Sequence, residues 1–252
     1  APVSKVVVWA MIERFQHPPS PEERAIIPGG ERASERLREA MTLANTRIQR
    51  LSYPGGGAAA VAAYLWEGKC AIAHIGDARA YRWRKGQLTQ LTEDHSLLNE
   101  YIKLQKISPE EIEDFPYKNV ITRALGIGNE STNPDVTIHN VEQEDIYLLC
   151  SDGLHRYIKA PDICTLLTQY SDSPATACDA LIQRAIQGKS TDNMTAIVLR
   201  IDEGDSISQG YGRTSPPPSW FYAPDGQLAE IPPQFRPPPE GPYPWNPNLW
   251  RE

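Results

Sequence analysis

The stretch AAAVAAYLWEGKCAIAHIGDARAYRWRKG, residues 58–86, decides the fold. Its apolar runs, 58–66, 69–75 and 78–83, read as strands, and Glu67-Gly68 between the first two supplies a tight hairpin turn. Arg84-Lys85-Gly86 supplies a second turn after the third run. Working outward, residues 120–125, 134–140, 145–150 and 194–201 also read as strands. Residues 4–16, 31–51, 97–106, 109–114, 161–170 and 174–187 read as helices. The second of these places Leu37, Met41, Ala44, Ile48 and Leu51 along one face, and the fourth opens with Ser108 and Glu111 in capping-box spacing. Strands in consecutive hairpins with helices in pairs predict an α+β fold: an antiparallel β-sandwich flanked by helices, in four layers α-β-β-α.

Composition changes sharply after Asp202. Twelve of the 23 prolines lie between Pro216 and Pro247, interleaved with Trp220, Trp245 and Trp250. Proline removes backbone donors and favours extended geometry, so the expected organisation is one domain over residues 1–202 and an extended or disordered Pro/Trp-rich tail over 203–252. The tail reads as a linker, as a ligand for an aromatic-lined groove on a partner, or as a segment packing back on the domain. A net charge of −7 argues against nucleic acid as a partner, since phosphate backbones are held by lysine and arginine. The apolar run at residues 6–12 is too short to span a bilayer, and no signal-peptide cleavage pattern follows it. Cys70, Cys150, Cys164 and Cys178 are widely spaced with no CxxC pair, which predicts reduced thiols and a cytoplasmic location.

Three carboxylates share one local design, each just past or before an apolar strand beside a small or turn-forming residue. They are Asp77 in His74-Ile75-Gly76-Asp77-Ala78-Arg79, Asp152 in Cys150-Ser151-Asp152-Gly153-Leu154, and Asp192 in Thr191-Asp192-Asn193. Taken singly, Asp-Gly and Asp-Asn make turns. Taken together, carboxylates held by a sheet yet open to solvent suit a hard cation with oxygen ligands. Two such ions can activate a bridging water and clamp a phosphoryl group. GxSxG, GxxxxGK[ST] and HExxH patterns are absent from the sequence.

Gly76-Asp77-Ala78-Arg79, Leu91-Thr92-Glu93-Asp94-His95-Ser96, Asn119-Val120-Ile121-Thr122-Arg123-Ala124-Leu125-Gly126, Ser151-Asp152-Gly153-Leu154 and Thr191-Asp192-Asn193 occur in this order. The series resembles the protein phosphatase 2C family of metal-dependent serine/threonine phosphatases, bacterial type, over residues 4–201. The resemblance implies Mn2+ or Mg2+ as cofactor, with two or three ions in a complete member, and a phosphorylated protein as substrate. It implies Asp152 and Asp192 as metal ligands and Asp77 as a ligand of a further, looser ion. His95, Ser96 and Asn193 match motif positions and are expected to serve structure. Residues 97–118 resemble the flap beside the active site of bacterial members.

The match has gaps. The family's opening strand, with its arginine and acidic cluster, and the following Asp-Gly-Met-Gly-Gly loop have no counterpart, so the resemblance implies an amino-terminally incomplete domain. Gly55-Gly56-Gly57-Ala58-Ala59 stands where the family has Gly-Met-Gly-Thr-Thr, and His155 departs from the pattern after Ser-Asp-Gly-Leu. Weak or absent phosphatase activity is the expectation for the chain as written. A catalytically silent phosphatase fold used for binding or regulation is the alternative.

Overall fold

A computed structural model describes residues 2–16, 29–50, 56–112, 114–127 and 133–202. The expected 203–252 tail and Leu51 lie outside the described residues. In chain order the elements are α1 (Pro2–Gln16), α2 (Gly29–Arg50), β1 (Ala60–Trp66), β2 (Lys69–Ile75), β3 (Arg79–Arg84), β4 (Gln87–Gln90), α3 (Leu97–Lys103), a 3-10 turn (Pro109–Glu111), β5 (Asp135–Asn140), β6 (Ile146–Cys150), α4 (Asp152–His155), α5 (Ala160–Gln169), α6 (Pro174–Gln187) and β7 (Ala196–Arg200).

Two antiparallel sheets form, one in the order β1-β2-β5 and the other β4-β3-β6-β7. The Glu67-Gly68 turn places both residues at positive φ, 40° and 72°, and Lys85-Gly86 repeats this at 50° and 83°. Such turns match the right-handed twist of the flanking strands, so the two hairpins close where the sequence marks them.

The alternation of β6 explains the layering. Ile146, Leu148 and Cys150 join Leu154, Ile163, Leu167, Leu181 and Ala185 of the helices that cover this sheet. Tyr147 and Leu149 point the other way, meeting Cys70, Ile72 and Ala80 between the sheets. All five β6 residues are buried, as expected of a strand covered on both faces. On the far side α2 packs against β1, β2 and β5 with α1 alongside it. Leu37, Met41, Ala44 and Ile48 form the buried stripe of α2. The expected α-β-β-α layering is present. Among the described residues no helix is long and apolar enough to cross a membrane.

Three expectations need correction. Residues 120–125 form no strand: they make two isolated bridges, Ser96 with Ile121 and Ala58 with Leu125, because the segment crosses between two different partners. Residues 109–114 hold only a 3-10 turn, although its Ser108–Glu111 capping box is formed. β4 goes unpredicted because Gln87-Leu88-Thr89-Gln90 is too polar and short to signal a strand; pairing with β3 imposes it.

Gly76 links the sheets at the decisive turn. It sits at φ 88°, and a β-carbon there would come within 2.6 Å of the Ala59 side chain. Gly76→Ala is therefore expected to destabilise the protein by about 1–3 kcal/mol, the usual cost of a strained non-glycine backbone, with added steric conflict. Urea unfolding followed by circular dichroism measures this, and an unchanged midpoint would contradict it.

Candidate functional site

Strand register gathers the three aspartates. Arg79 of β3 pairs with Cys150 of β6, and Cys150 pairs with Ala196 of β7. Asp77 lies two residues before that rung, Asp152 two after it and Asp192 four before it. Antiparallel pairing brings all three to one end of the same sheet.

The loops there are locked by short polar contacts. Thr195 N–H donates to Ser151 Oγ at 3.0 Å, and Ser190 Oγ donates to the Gly153 carbonyl at 2.8 Å. A β-carbon on Gly153 would stand 2.5 Å from the Asn193 carbonyl oxygen and 3.3 Å from the Asp192 β-carbon, so only glycine allows the two loops to approach. Asp152 Oδ1 accepts the Gly153 N–H at 2.9 Å and Asp192 Oδ1 accepts the Asn193 N–H at 2.7 Å. Asp192 is exposed.

A residue that the sequence reading passed over completes the cluster. Arg156 Nη2 donates to Asp77 Oδ2 at 2.6 Å and lies 3.3 Å from Asp152 Oδ2. Its predecessor His155, buried, hydrogen-bonds through Nε2 to the Asp77 carbonyl at 2.8 Å. Burial holds this imidazole below its ordinary pKa, with nearby Arg79 adding to the effect, so the ring is neutral and donates Nε2–H. His155 thus fixes the Asp77 backbone while Arg156 holds its carboxylate.

These donors fit a divalent cation. They are hard carboxylate oxygens on rigid strand ends, and a guanidinium already bridging two of them shows that the gap accepts positive charge. Asp77 and Asp152 are both engaged by Arg156, whereas Asp192 has no ion pair among the described residues.

A second cluster lies on the other sheet. His74, His95 and Asp135 bring ligand atoms within 4.8 Å of one another. His95 Nδ1 accepts the Gly76 N–H at 3.1 Å, while its Nε2 lies 3.2 Å from Asp135 Oδ2 and 2.8 Å from Arg123 Nη1. His74 Nε2 meets the Glu93 carbonyl at 2.8 Å, and the two imidazoles stack at 4.7 Å. Arg123 contacts Asp135 Oδ1 at 3.0 Å through both terminal nitrogens. Arg123 thus pairs with Asp135 beside the stacked imidazoles, and the group holds the sheet end together. Asp135 was missed in the sequence because its partners lie 12 and 40 residues away.

The segment Thr92-Glu93-Asp94-His95-Ser96 straps the two sheets. Thr92 Oγ1 accepts the Ala80 N–H at 3.1 Å, and Arg79 forks onto Asp94 at 2.8 and 2.7 Å. Ser96 caps α3 by accepting the Asn99 N–H.

A fold of two antiparallel sheets between helix layers, with aspartates converging at one sheet end, defines the class of metal-dependent serine/threonine protein phosphatases. The chain belongs to the protein phosphatase 2C family: the family model "Protein phosphatase 2C" matches residues 22–194. Protein phosphatase PhpP of Streptococcus pneumoniae serotype 2 is 34% identical over 171 residues, spanning 66% of this chain and 68% of that relative. The crystal structure of the Mycobacterium tuberculosis serine/threonine phosphatase PstP/Ppp superposes with TM-score 0.67 at 29% identity, covering 80% of this chain and 83% of that one. The PstP catalytic domain in complex with two manganese ions superposes with TM-score 0.64 at 28% identity, covering 79% and 81%.

The strap cluster sets a pH response. Burial lowers the His95 pKa from its ordinary 6.5, and the Asp135 hydrogen bond only partly offsets this. The unfolded state therefore binds more protons than the folded state as pH falls through about 6.5, and stability falls with it. Urea midpoints should drop between about pH 7.5 and 5.5, and His95→Gln should show a smaller drop from a lower starting point. Equal pH slopes in both proteins would contradict the assignment.

Proposed function

We propose that this chain is a cytoplasmic signalling phosphatase domain of the kind that hydrolyses phosphoserine and phosphothreonine in proteins. Asp152 and Asp192 serve as ligands of Mn2+ or Mg2+, and Asp77 as a ligand of a further, looser ion. The observation that carries the reading is the convergence of these carboxylates at one end of the β3-β6-β7 sheet, in a chain 34% identical over 171 residues to a protein phosphatase. The PstP catalytic domain in complex with two manganese ions supports manganese within the cofactor class.

Each side chain has a separate task. Asp152 and Asp192 hold negative charge at the sheet end, on loops that Ser151, Ser190 and Gly153 lock in place. His155 keeps the Asp77 backbone in register with them. Ions held by Asp152 and Asp192 would supply an activated water and neutralise the phosphoryl oxygens, which would remove the need for a protein nucleophile. Turnover by residues 1–252 alone is weak or absent, because the sequence carries no Asp-Gly-Met-Gly-Gly segment and Arg156 already engages Asp77 and Asp152.

A second reading, a catalytically silent phosphatase fold that binds a partner, is favoured by the same ion pair. The test is manganese-dependent hydrolysis of p-nitrophenyl phosphate and a phosphothreonine peptide, by this chain and by a chimera in which the opening strand and Asp-Gly-Met-Gly-Gly loop of a family member are fused ahead of it. Activity is expected chiefly in the longer protein, and Asp152→Asn or Asp192→Asn should lower it by roughly a hundredfold or more. Silence in both proteins, with the metal present, would favour the binding module.

A further inference from the structure

We propose that Arg156 is a built-in cation that competes with a divalent ion for the gap between Asp77 and Asp152. The inference rests on the reading of those aspartates as ligands. One nitrogen of Arg156, Nη2, serves both carboxylates, at 2.6 Å from Asp77 Oδ2 and 3.3 Å from Asp152 Oδ2. A single positive centre between two carboxylate oxygens stands where an ion bridging them would stand, and the two cannot share the place because like charges repel at such range.

The helix keeps the competitor at hand. Arg156 follows α4 directly and is four residues on from Asp152, with its backbone N–H donating to the Asp152 carbonyl at 3.1 Å. Side chains four apart on a helix are neighbours, so the helix turn itself brings the guanidinium to Asp152, and the β3-β6 register brings Asp77 to both. Asp77 is the tighter partner. Its side chain is only 11% exposed, and His155 fixes its backbone, so it stays in position when the cation changes. Arg156 is itself 32% exposed and has a long flexible stem, which gives it a route into solvent when a stronger cation arrives.

Two carboxylates left without Arg156 would repel each other, and that repulsion is relieved by a doubly charged ion more fully than by a single guanidinium. The consequence is a higher threshold: the gap fills only when the divalent ion outcompetes a cation covalently attached to the same helix turn. Arg156 is a positioning residue here; it orders the two carboxylates and sets the concentration at which the ion at Asp77 enters.

The test is Mn2+ binding to the 252-residue chain, read by isothermal titration calorimetry and by the electron paramagnetic resonance signal of free Mn2+, in wild type, Arg156→Gln, Arg156→Lys and Asp152→Asn. Arg156→Gln should bind Mn2+ about fivefold or more tightly than wild type, while Arg156→Lys, which keeps the charge, should stay within about twofold. The thermal midpoint of ion-free Arg156→Gln should lie below wild type and rise further on adding Mn2+, which shows that the variant is folded and loaded. Unchanged or weaker binding in Arg156→Gln overturns the proposal. If Asp152→Asn abolishes binding in that case, the aspartate reading survives and only the competitor role fails; if Asp152→Asn binds like wild type, the aspartate reading itself is wrong.

Discussion

The rung that sets Arg79 beside Cys150 and Cys150 beside Ala196 is the constraint on which the site depends. A slip of one residue in either pairing would turn Ile146, Leu148 and Cys150 away from the helices and exchange them with Tyr147 and Leu149. Both faces of β6 are buried, so that slip is forbidden by packing on two sides at once. The aspartates inherit their positions from this. They lie two to four residues from a rung that the core cannot move, which is how side chains 75 and 40 residues apart come to one sheet end.

Arginines balance carboxylates at both ends of the β3-β6 pair, with Arg84 and Asp145 at the end far from the three aspartates. Arg79 forks onto Asp94, Arg84 onto the fully buried Asp145 at 2.6 Å, Arg123 onto Asp135, and Arg156 joins Asp77 to Asp152. A planar guanidinium can satisfy two oxygens in fixed geometry, which lysine cannot do, and this suits carboxylates that have lost much of their water. Asp192 differs. It is exposed, and it has no ion pair among the described residues. The site therefore has one carboxylate facing solvent and two already sharing a cation.

Much of this was legible in the sequence, and the rest was hidden for identifiable reasons. The hairpins at Glu67-Gly68 and Lys85-Gly86 announce themselves because turn chemistry is local. The helix stripe of Leu37, Met41, Ala44 and Ile48 follows from periodicity alone. Asp77, Asp152 and Asp192 could be singled out only as a family series, since each by itself reads as a turn. Residues 120–125 misled because an apolar run can be pinned by two single bridges as well as by a ladder. Arg156 carried no signal: its meaning arises from Asp77, 79 residues earlier, and only the β3-β6 register brings them together. Asp135 was hidden in the same way.

The strap from Thr92 to Ser96 has a mechanical consequence. His95 receives the Gly76 N–H and gives its own N–H to the Gly76 carbonyl, while the very next residue caps α3. The start of that helix and the turn carrying Asp77 are thus joined by a lever one residue long. Anything that tilts α3, with Tyr101, Ile102 and Leu104 exposed along it and just beyond its end, pulls on a fulcrum tied to the acidic end of the sheet. The outer surface of the helix and the backbone turn beside Asp77 are thereby tied through two consecutive residues.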